Sequence, residues 1–253
     1  MSTTSTTSIG ELPKSRTEPD GSAVVRVLSY NIRSMRDDED ALARVIRACA
    51  PDLVLVQEAP RFFRWRKHAA RLAAKSELVY LGGGATAAGP MLLCSLRATV
   101  ERTEDVLLPL TPGLHRRGLA TAVVRLGGAR VGLVSCHLSL DAAERHHQAG
   151  LVLDRVAALG TPYTIVAGDL NEGPEGRSFG RLTEELQDGW ATRPWGAEHT
   201  FDPTAPRRRI DAILATPGIE FLACGVPTDL DPHDLRTATD HLPVLAVVRI
   251  PAS

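Results

Sequence analysis

The chain has 253 residues, 43% hydrophobic and 4% aromatic, which is enough for one sizeable core and too apolar for a disordered or fibrous protein. Lys and Arg total 29 against 30 Asp and Glu, a formal net charge of −1. That balance excludes whole-molecule attraction to nucleic acid or an anionic membrane, so any basic footprint is local.

Residues 1–22, MSTTSTTSIGELPKSRTEPDGS, have neither the apolar stretch nor the basic start of a secretory signal, and their composition predicts a flexible tail before one domain over 23–253. No run approaches the roughly 18 apolar residues of a membrane span, so no membrane insertion is expected. Cys49, Cys94, Cys136 and Cys224 lie far apart without a CxxC pair, which disfavours a zinc ribbon. They read as buried apolar side chains in a reducing, cytoplasmic compartment.

From Ala23 two periodicities alternate. VVRVLSY (24–30) is a strand ending at Asn31, and DDEDALARVIRACA places Leu42, Val45, Ile46 and Cys49 at helical spacing behind an acidic start. LVLVQ (53–57) is a second short strand, and a helix is predicted over 61–75. Its Phe62, Phe63, Trp65 and basic residues fit either an amphipathic helix with solvated charges or an aromatic-basic nucleic-acid surface. GGGATAAGP (82–90) lacks the Lys-Ser/Thr of a phosphate-binding loop and reads as a turn. Strands follow at 91–96, 99–106, 118–126 and 129–138, the last two joined by Gly127-Gly128 as in a hairpin. A helix from Asp141 to about Leu159, a strand at 163–169, a helix near Ser178–Gln187 and strands at 209–215, 219–225 and 243–250 complete the chain. Many short strands with few helices predict an α/β sandwich, two layered sheets with helices outside.

The chemistry lies at the strand ends. Asn31, Glu58, His137, Asp169, Asn171, Asp211, Asp240 and His241 each stand against an apolar run. Asp169 and Asn171 are two apart, so an extended chain points both to one side while Leu170 anchors on the other. Singly, each has a plain structural explanation, since Asn31 suits a helix cap and GDxN suits a turn. Together they imply a compensating ligand, because several carboxylates gathered at one end of a fold cost several kcal/mol without a cation or hydrogen bonds. Oxygen-rich donors without a thiolate suit a hard cation, Mg2+ first and Mn2+ or Ca2+ next, which leaves positions for water and a substrate phosphate.

SYNIR (29–33), LVQE (55–58), SCHL (135–138), GDLN (168–171), RIDAIL (209–214) and TDH (239–241), in this order, resemble the endonuclease/exonuclease/phosphatase superfamily of deoxyribonuclease I-like enzymes. The resemblance implies a four-layered α/β sandwich with two central sheets, and a divalent-metal-dependent phosphoesterase in which water attacks in line. It implies that Glu58 is the principal metal ligand, with Asn31 and Asp240 in or near the coordination shell. Asp169 would orient or deprotonate the water, and Asn171 would hold the same water and a phosphate oxygen. His241 would face the phosphate with Asp211 behind it, and His137 would bind phosphate or assist the leaving group. HRRGLATA (115–122) resembles a phosphate-contacting segment and nominates Arg116 or Arg117. The expected partner is a phosphate-ester substrate, in first place a phosphodiester such as nucleic acid, with phosphomonoesters and lipid phosphodiesters as alternatives. No obligate protein partner is evident. A silent binding module would need damaged motifs, and Glu58, Asp169, Asn171, Asp211, Asp240 and His241 are all present.

Overall fold

Apolar runs whose two faces are both buried require covering on both sides, and this requirement builds the architecture. The computed structural model describes residues 8–253. In chain order the strands and helices are β1 (Arg16–Thr17), β2 (Ala23–Asn31), α1 (Glu39–Cys49), β3 (Leu53–Gln57), α2 (Trp65–Lys75), β4 (Val79–Gly83), β5 (Met91–Cys94), β6 (Thr99–Leu107), β7 (Gly118–Leu126), β8 (Ala129–His137), α3 (Ala142–Ala158), β9 (Tyr163–Asp169), α4 (Arg177–Thr183), β10 (Gln187–Asp188), α5 (Gly189–Thr192), β11 (Asp211–Ala215), β12 (Glu220–Gly225), α6 (Pro232–Ala238) and β13 (Val244–Ile250).

One sheet runs β12-β13-β2-β3-β5-β4, with β1 on β2; the other runs β10-β11-β9-β8-β7-β6. Within each sheet one pair is parallel, β2 with β3 and β8 with β9, and the remaining pairs are antiparallel. Val25, Val27, Leu53 and Leu55 meet Val131, Leu133, Ile165 and Ile213 between the sheets. On the outer face of the first sheet, Leu28, Tyr30 and Val54 pack with Leu42 and Ile46 of α1 and Leu72 of α2. On the outer face of the second, Val134 and Val166 pack with Val152 of α3 and Leu182 of α4. The chain is thus the expected α/β sandwich of four layers, helix, sheet, sheet, helix.

Several elements differ from the sequence expectation. Residues 1–7 of the expected tail lie outside the described residues, but 8–22 pack on the domain: Ile9 and Leu12 are buried and β1 pairs antiparallel with β2. The cause is Arg26, whose guanidinium donates to the carbonyls of Ile9 (3.1 Å) and Leu12 (3.2 Å) and so fixes a segment too polar to announce itself by periodicity. Helix α2 begins four residues late, at Trp65, after Arg64 in the left-handed region (φ 57°). Helix α4 stops at Thr183, because Gln187 and Asp188 pair with β11 instead of continuing it. Strand β4 and helix α6 were not expected from periodicity.

If the 8–22 segment is part of the core, Leu12→Ala destabilises the protein by about 2–3 kcal/mol, the usual cost of a large-to-small core change. A denaturant midpoint unchanged from wild type would return the segment to the status of a tail.

Candidate active site

The inward faces of the strands grade from apolar to polar toward one edge. Because side chains alternate, each strand presents an inward series two residues apart: Val25, Val27, Ser29, Asn31 on β2; Leu53, Leu55, Gln57 on β3; Val131, Leu133, Ser135, His137 on β8; Ile165, Ala167, Asp169 on β9; and Ala215, Ile213, Asp211 on β11. Register aligns the last members, His137 opposite Asp169 and Asp169 opposite Asp211. One layer deeper, Ser135 Oγ donates to the Val56 carbonyl (2.8 Å) and Gln57 lies 3.4 Å from both Ser29 and Ser135. This polar layer joins the two sheets directly beneath the site.

Asp169 is the centre. Its Oδ2 accepts from Asn31 Nδ2 (3.0 Å) of the facing sheet and stands 3.4 Å from His137 Nε2 and 3.6 Å from His241 Nε2. Its Oδ1 accepts from the backbone N–H of Asn171 at 2.9 Å. Asn171 sits at φ 51°, a left-handed turn that asparagine tolerates, and donates to the Leu138 carbonyl, while Leu170 is buried beneath. The run therefore ends on two polar residues because their side chains close a turn over the sheet edge. Asn31 Nδ2 also reaches Glu58 Oε1 at 3.3 Å, and His137 Nδ1 is 3.9 Å from that oxygen. On the other side His241 Nδ1 bonds Asp211 Oδ2 at 2.9 Å.

These neighbours set the charges. Burial raises the Asp169 carboxyl, with Asp211 adding to the rise and the two histidines and the Asn171 amide opposing it. Burial drives His137 down to about 4, outweighing the attraction of Asp169, so at neutral pH it is an uncharged ring beside a carboxylate. Burial also works against a charged His241, yet the charge and hydrogen bond of Asp211, with Asp169 and Asp240 behind, raise it to about 9. Two imidazoles flank one carboxylate in opposite protonation states.

The profile of the Endonuclease/Exonuclease/phosphatase family matches residues 28–241, a span that includes every one of these side chains. The chain belongs to this family. Family members are phosphoesterase hydrolases and generally depend on a divalent metal. Solved structures agree on the fold. An endonuclease/exonuclease/phosphatase from Bacteroides vulgatus is 21% identical, with 90% of this chain and 99% of that one covered at a TM-score of 0.76. The Bacteroides thetaiotaomicron mannosyl-6-phosphatase Bt3783 is 19% identical, with 88% and 99% covered at 0.76. D. rerio TDP2, complexed with single strand DNA product, is 20% identical, with 89% and 98% covered at 0.67. No curated protein sequence matches.

Do the residues fit the family's cation? Glu58 lies at φ 52° at the end of β3, its side chain 38% exposed in the cleft, and among the described residues nothing donates to its Oε2. That free carboxylate oxygen suits a hard divalent ion, and the four cysteines are buried and unavailable; Asn31 turns its Nδ2 toward Glu58, and its Oδ1, which accepts from the Arg33 backbone N–H at 3.1 Å, keeps a second lone pair with which it could join the set. Asp240 is placed differently: its carboxylate pairs with Arg33 Nε at 3.4 Å and it does not line the cleft. Ligand-capable atoms of Asp169, Asp211 and His241 also lie within 4.8 Å of one another. Since Asp211 and His241 already hydrogen-bond each other, that trio is better suited to handling protons.

The cleft, about 420 Å³, is lined by Glu58, His137, Asp169, Asn171 and His241 together with Arg36, Arg61, His115, Arg117 and Arg208. Arg117 faces it. Burial weakens the charged form of Arg117 and the nearby Asp169 and Glu58 support it, while its Nε has no hydrogen-bond partner among the described residues. Arg116 is exposed and absent from the lining. Sequence reasoning missed Thr200 and Phe201, both in an irregular segment. Thr200 Oγ1 accepts from the backbone N–H groups of Ile210 (3.1 Å) and Asp211 (3.2 Å), and the Phe201 ring packs edge-on against His241, centroids 5.0 Å apart.

This sorting of the arginine pair predicts that Arg117→Ala weakens inorganic phosphate binding by about tenfold or more, the scale of one charge-assisted contact, while Arg116→Ala leaves it unchanged. Titration calorimetry with added magnesium checks it, and equal losses in both variants would contradict the assignment.

Proposed function

We propose that the protein is a divalent-cation-dependent phosphoesterase whose first substrate class is a phosphodiester, nucleic acid foremost. The carrying observation is the buried Asp169 carboxylate, with Asn31, His137 and His241 all within 3.6 Å of a single oxygen and Glu58 joined to it through Asn31.

In-line attack of water on a phosphate ester builds negative charge on the equatorial and departing oxygens, so catalysis needs donors, a base and positive charge in fixed places. A divalent ion held by Glu58 and Asn31, magnesium first, supplies Lewis-acid stabilisation of that charge when bound. Asp169 orients the attacking water and takes its proton; its burial raises its basicity for that task. Asn171 fixes the turn that aims Asp169 and presents its side chain to the same cleft. His241 remains protonated at neutral pH and donates to a phosphate oxygen, with Asp211 orienting the ring through Nδ1. His137, neutral and buried, donates to the substrate from the opposite side. Arg117 adds a guanidinium for non-bridging oxygens.

A second reading, phosphomonoester hydrolysis, is favoured by the size of the cleft, about 420 Å³, which suits a terminal phosphate on a small molecule.

Asp169→Asn and His241→Ala each lower kcat/KM on a chromogenic phosphodiester by about 10²–10⁴, without loss of secondary structure by circular dichroism. Chelation abolishes turnover, and magnesium or manganese restores it. Wild-type rates in either variant, or activity in excess chelator, would overturn the scheme. A panel of single- and double-stranded DNA, RNA, sphingomyelin, inositol phosphates and sugar phosphates then separates the two readings.

A further inference from the structure

Four residues beyond Glu58, the chain carries two phenylalanines that folding does not bury. Phe62 and Phe63 are each 82% exposed, in a run, Arg61-Phe62-Phe63-Arg64-Trp65-Arg66-Lys67, with no acidic residue before Glu77. Leaving such rings in water forgoes the gain of burying apolar surface, so an adjacent exposed pair is informative.

The segment is held at both ends. Arg61 Nη1 donates to the Ala88 carbonyl (3.3 Å) and its side chain lines the catalytic cleft. Trp65 lies over Gly84, where an added Cβ would come within 2.8 Å of the indole ring and where φ is +82°. The glycine-rich stretch 82–90, left without a role by its sequence, thus provides the flat seat for Trp65. Between these fixed ends the phenylalanines point to solvent beside the cleft.

Charge and ring geometry identify the occupant. Among the described residues Arg61, Arg64, Arg66 and Lys67 form no ion pair, whereas Arg71 and Lys75 further along α2 are paired with Glu39 and Asp40. The Arg61 guanidinium lies 5.9 Å from the Phe62 ring centre and that of Arg64 4.9 Å from the Phe63 centre. A guanidinium over one face of each ring leaves the opposite face for another flat group. Unpaired cations interleaved with half-covered aromatic faces match a single-stranded nucleic acid, whose phosphates meet the cations while its bases stack on the rings.

We propose that Phe62 and Phe63 form a stacking platform for nucleobases of a single-stranded nucleic acid whose backbone enters the cleft along Arg61. The proposal rests on the phosphodiester reading above and names the part of the molecule that selects the substrate. At about 1–3 kcal/mol per stacked base, losing both rings costs tenfold or more in affinity.

The test uses the full chain, a labelled single-stranded oligothymidylate read by fluorescence anisotropy, and bis(p-nitrophenyl) phosphate as a substrate without bases. The double variant Phe62→Ala/Phe63→Ala should bind the oligonucleotide at least tenfold more weakly and raise KM for it. Hydrolysis of the small diester should be unchanged. Phe62→Trp/Phe63→Trp should restore binding, and Phe62→Leu/Phe63→Leu, apolar without a planar face, should not. Wild-type affinity in the Ala or Leu variant overturns the platform. So does Phe-dependent binding to phosphatidylcholine–phosphatidylserine vesicles without Phe-dependent binding of oligonucleotide. Absence of small-diester hydrolysis in wild type would sink the phosphodiesterase reading alone, because the anisotropy measurement does not depend on turnover.

Discussion

A carboxylate removed from water must be held by something, and in this protein the groups that hold Asp169 are the site itself. Its two oxygens meet an amide from the facing sheet, two imidazoles and a backbone N–H. Each partner comes from a different part of the chain, so the carboxylate is compensated only when both sheets are assembled in register. The same burial that makes Asp169 costly makes it basic, which joins the energetics of folding to the chemistry of the cleft.

Strand polarity explains why these groups share one edge. β2 with β3 and β8 with β9 are parallel, so Asn31, Glu58, His137 and Asp169 all leave carboxyl ends on the same side. β11 and β13 run the other way, and accordingly Asp211 opens β11 and His241 precedes β13. The opening of each antiparallel strand therefore falls beside the closing of a parallel one. Beneath this rim the Ser29–Gln57–Ser135 layer grades the interior from apolar to polar. Without that layer the ionisable rim would rest directly on the Leu and Val interior between the sheets, where desolvation is largest.

What the sequence disclosed and what it hid follow from this arrangement. Strand ends were legible because an apolar run with period two stops abruptly on Asn31, Asp169 or Asp211, and the alternation itself tells which way the last side chain points. Thr200 and Phe201 were not legible, since they lie in an irregular segment and act through backbone N–H groups and a ring edge, neither of which leaves a periodic mark. The 8–22 segment was hidden because it carries few apolar side chains and its carbonyls are fixed by Arg26, a contact that leaves no periodic mark. Helix α6 did carry a readable signal, an Asp231 cap followed by Pro232 at the first turn, but it is short and its periodicity weak. The two candidate arginines are adjacent in sequence, and what separates them is a tertiary contact, the Arg117 carbonyl accepting from the Leu108 N–H just beyond the β6–β7 pairing, which local sequence does not disclose.

The opposite protonation of His137 and His241 shows how position sets the charge of chemically identical side chains. Both are buried and both lie within 3.6 Å of Asp169. Only His241 has a second carboxylate, Asp211, bonded to its far nitrogen, and with Asp169 and Asp240 it overcomes the desolvation; His137 has Asp169 against both burial and the nearby Arg117, His241 and Arg61. A positive ring and a neutral one therefore stand on either side of the Asp169 carboxylate. The asymmetry costs no extra residue type. It comes from β11 pairing with β9 in the register that sets Asp211 beside Asp169 and within reach of His241.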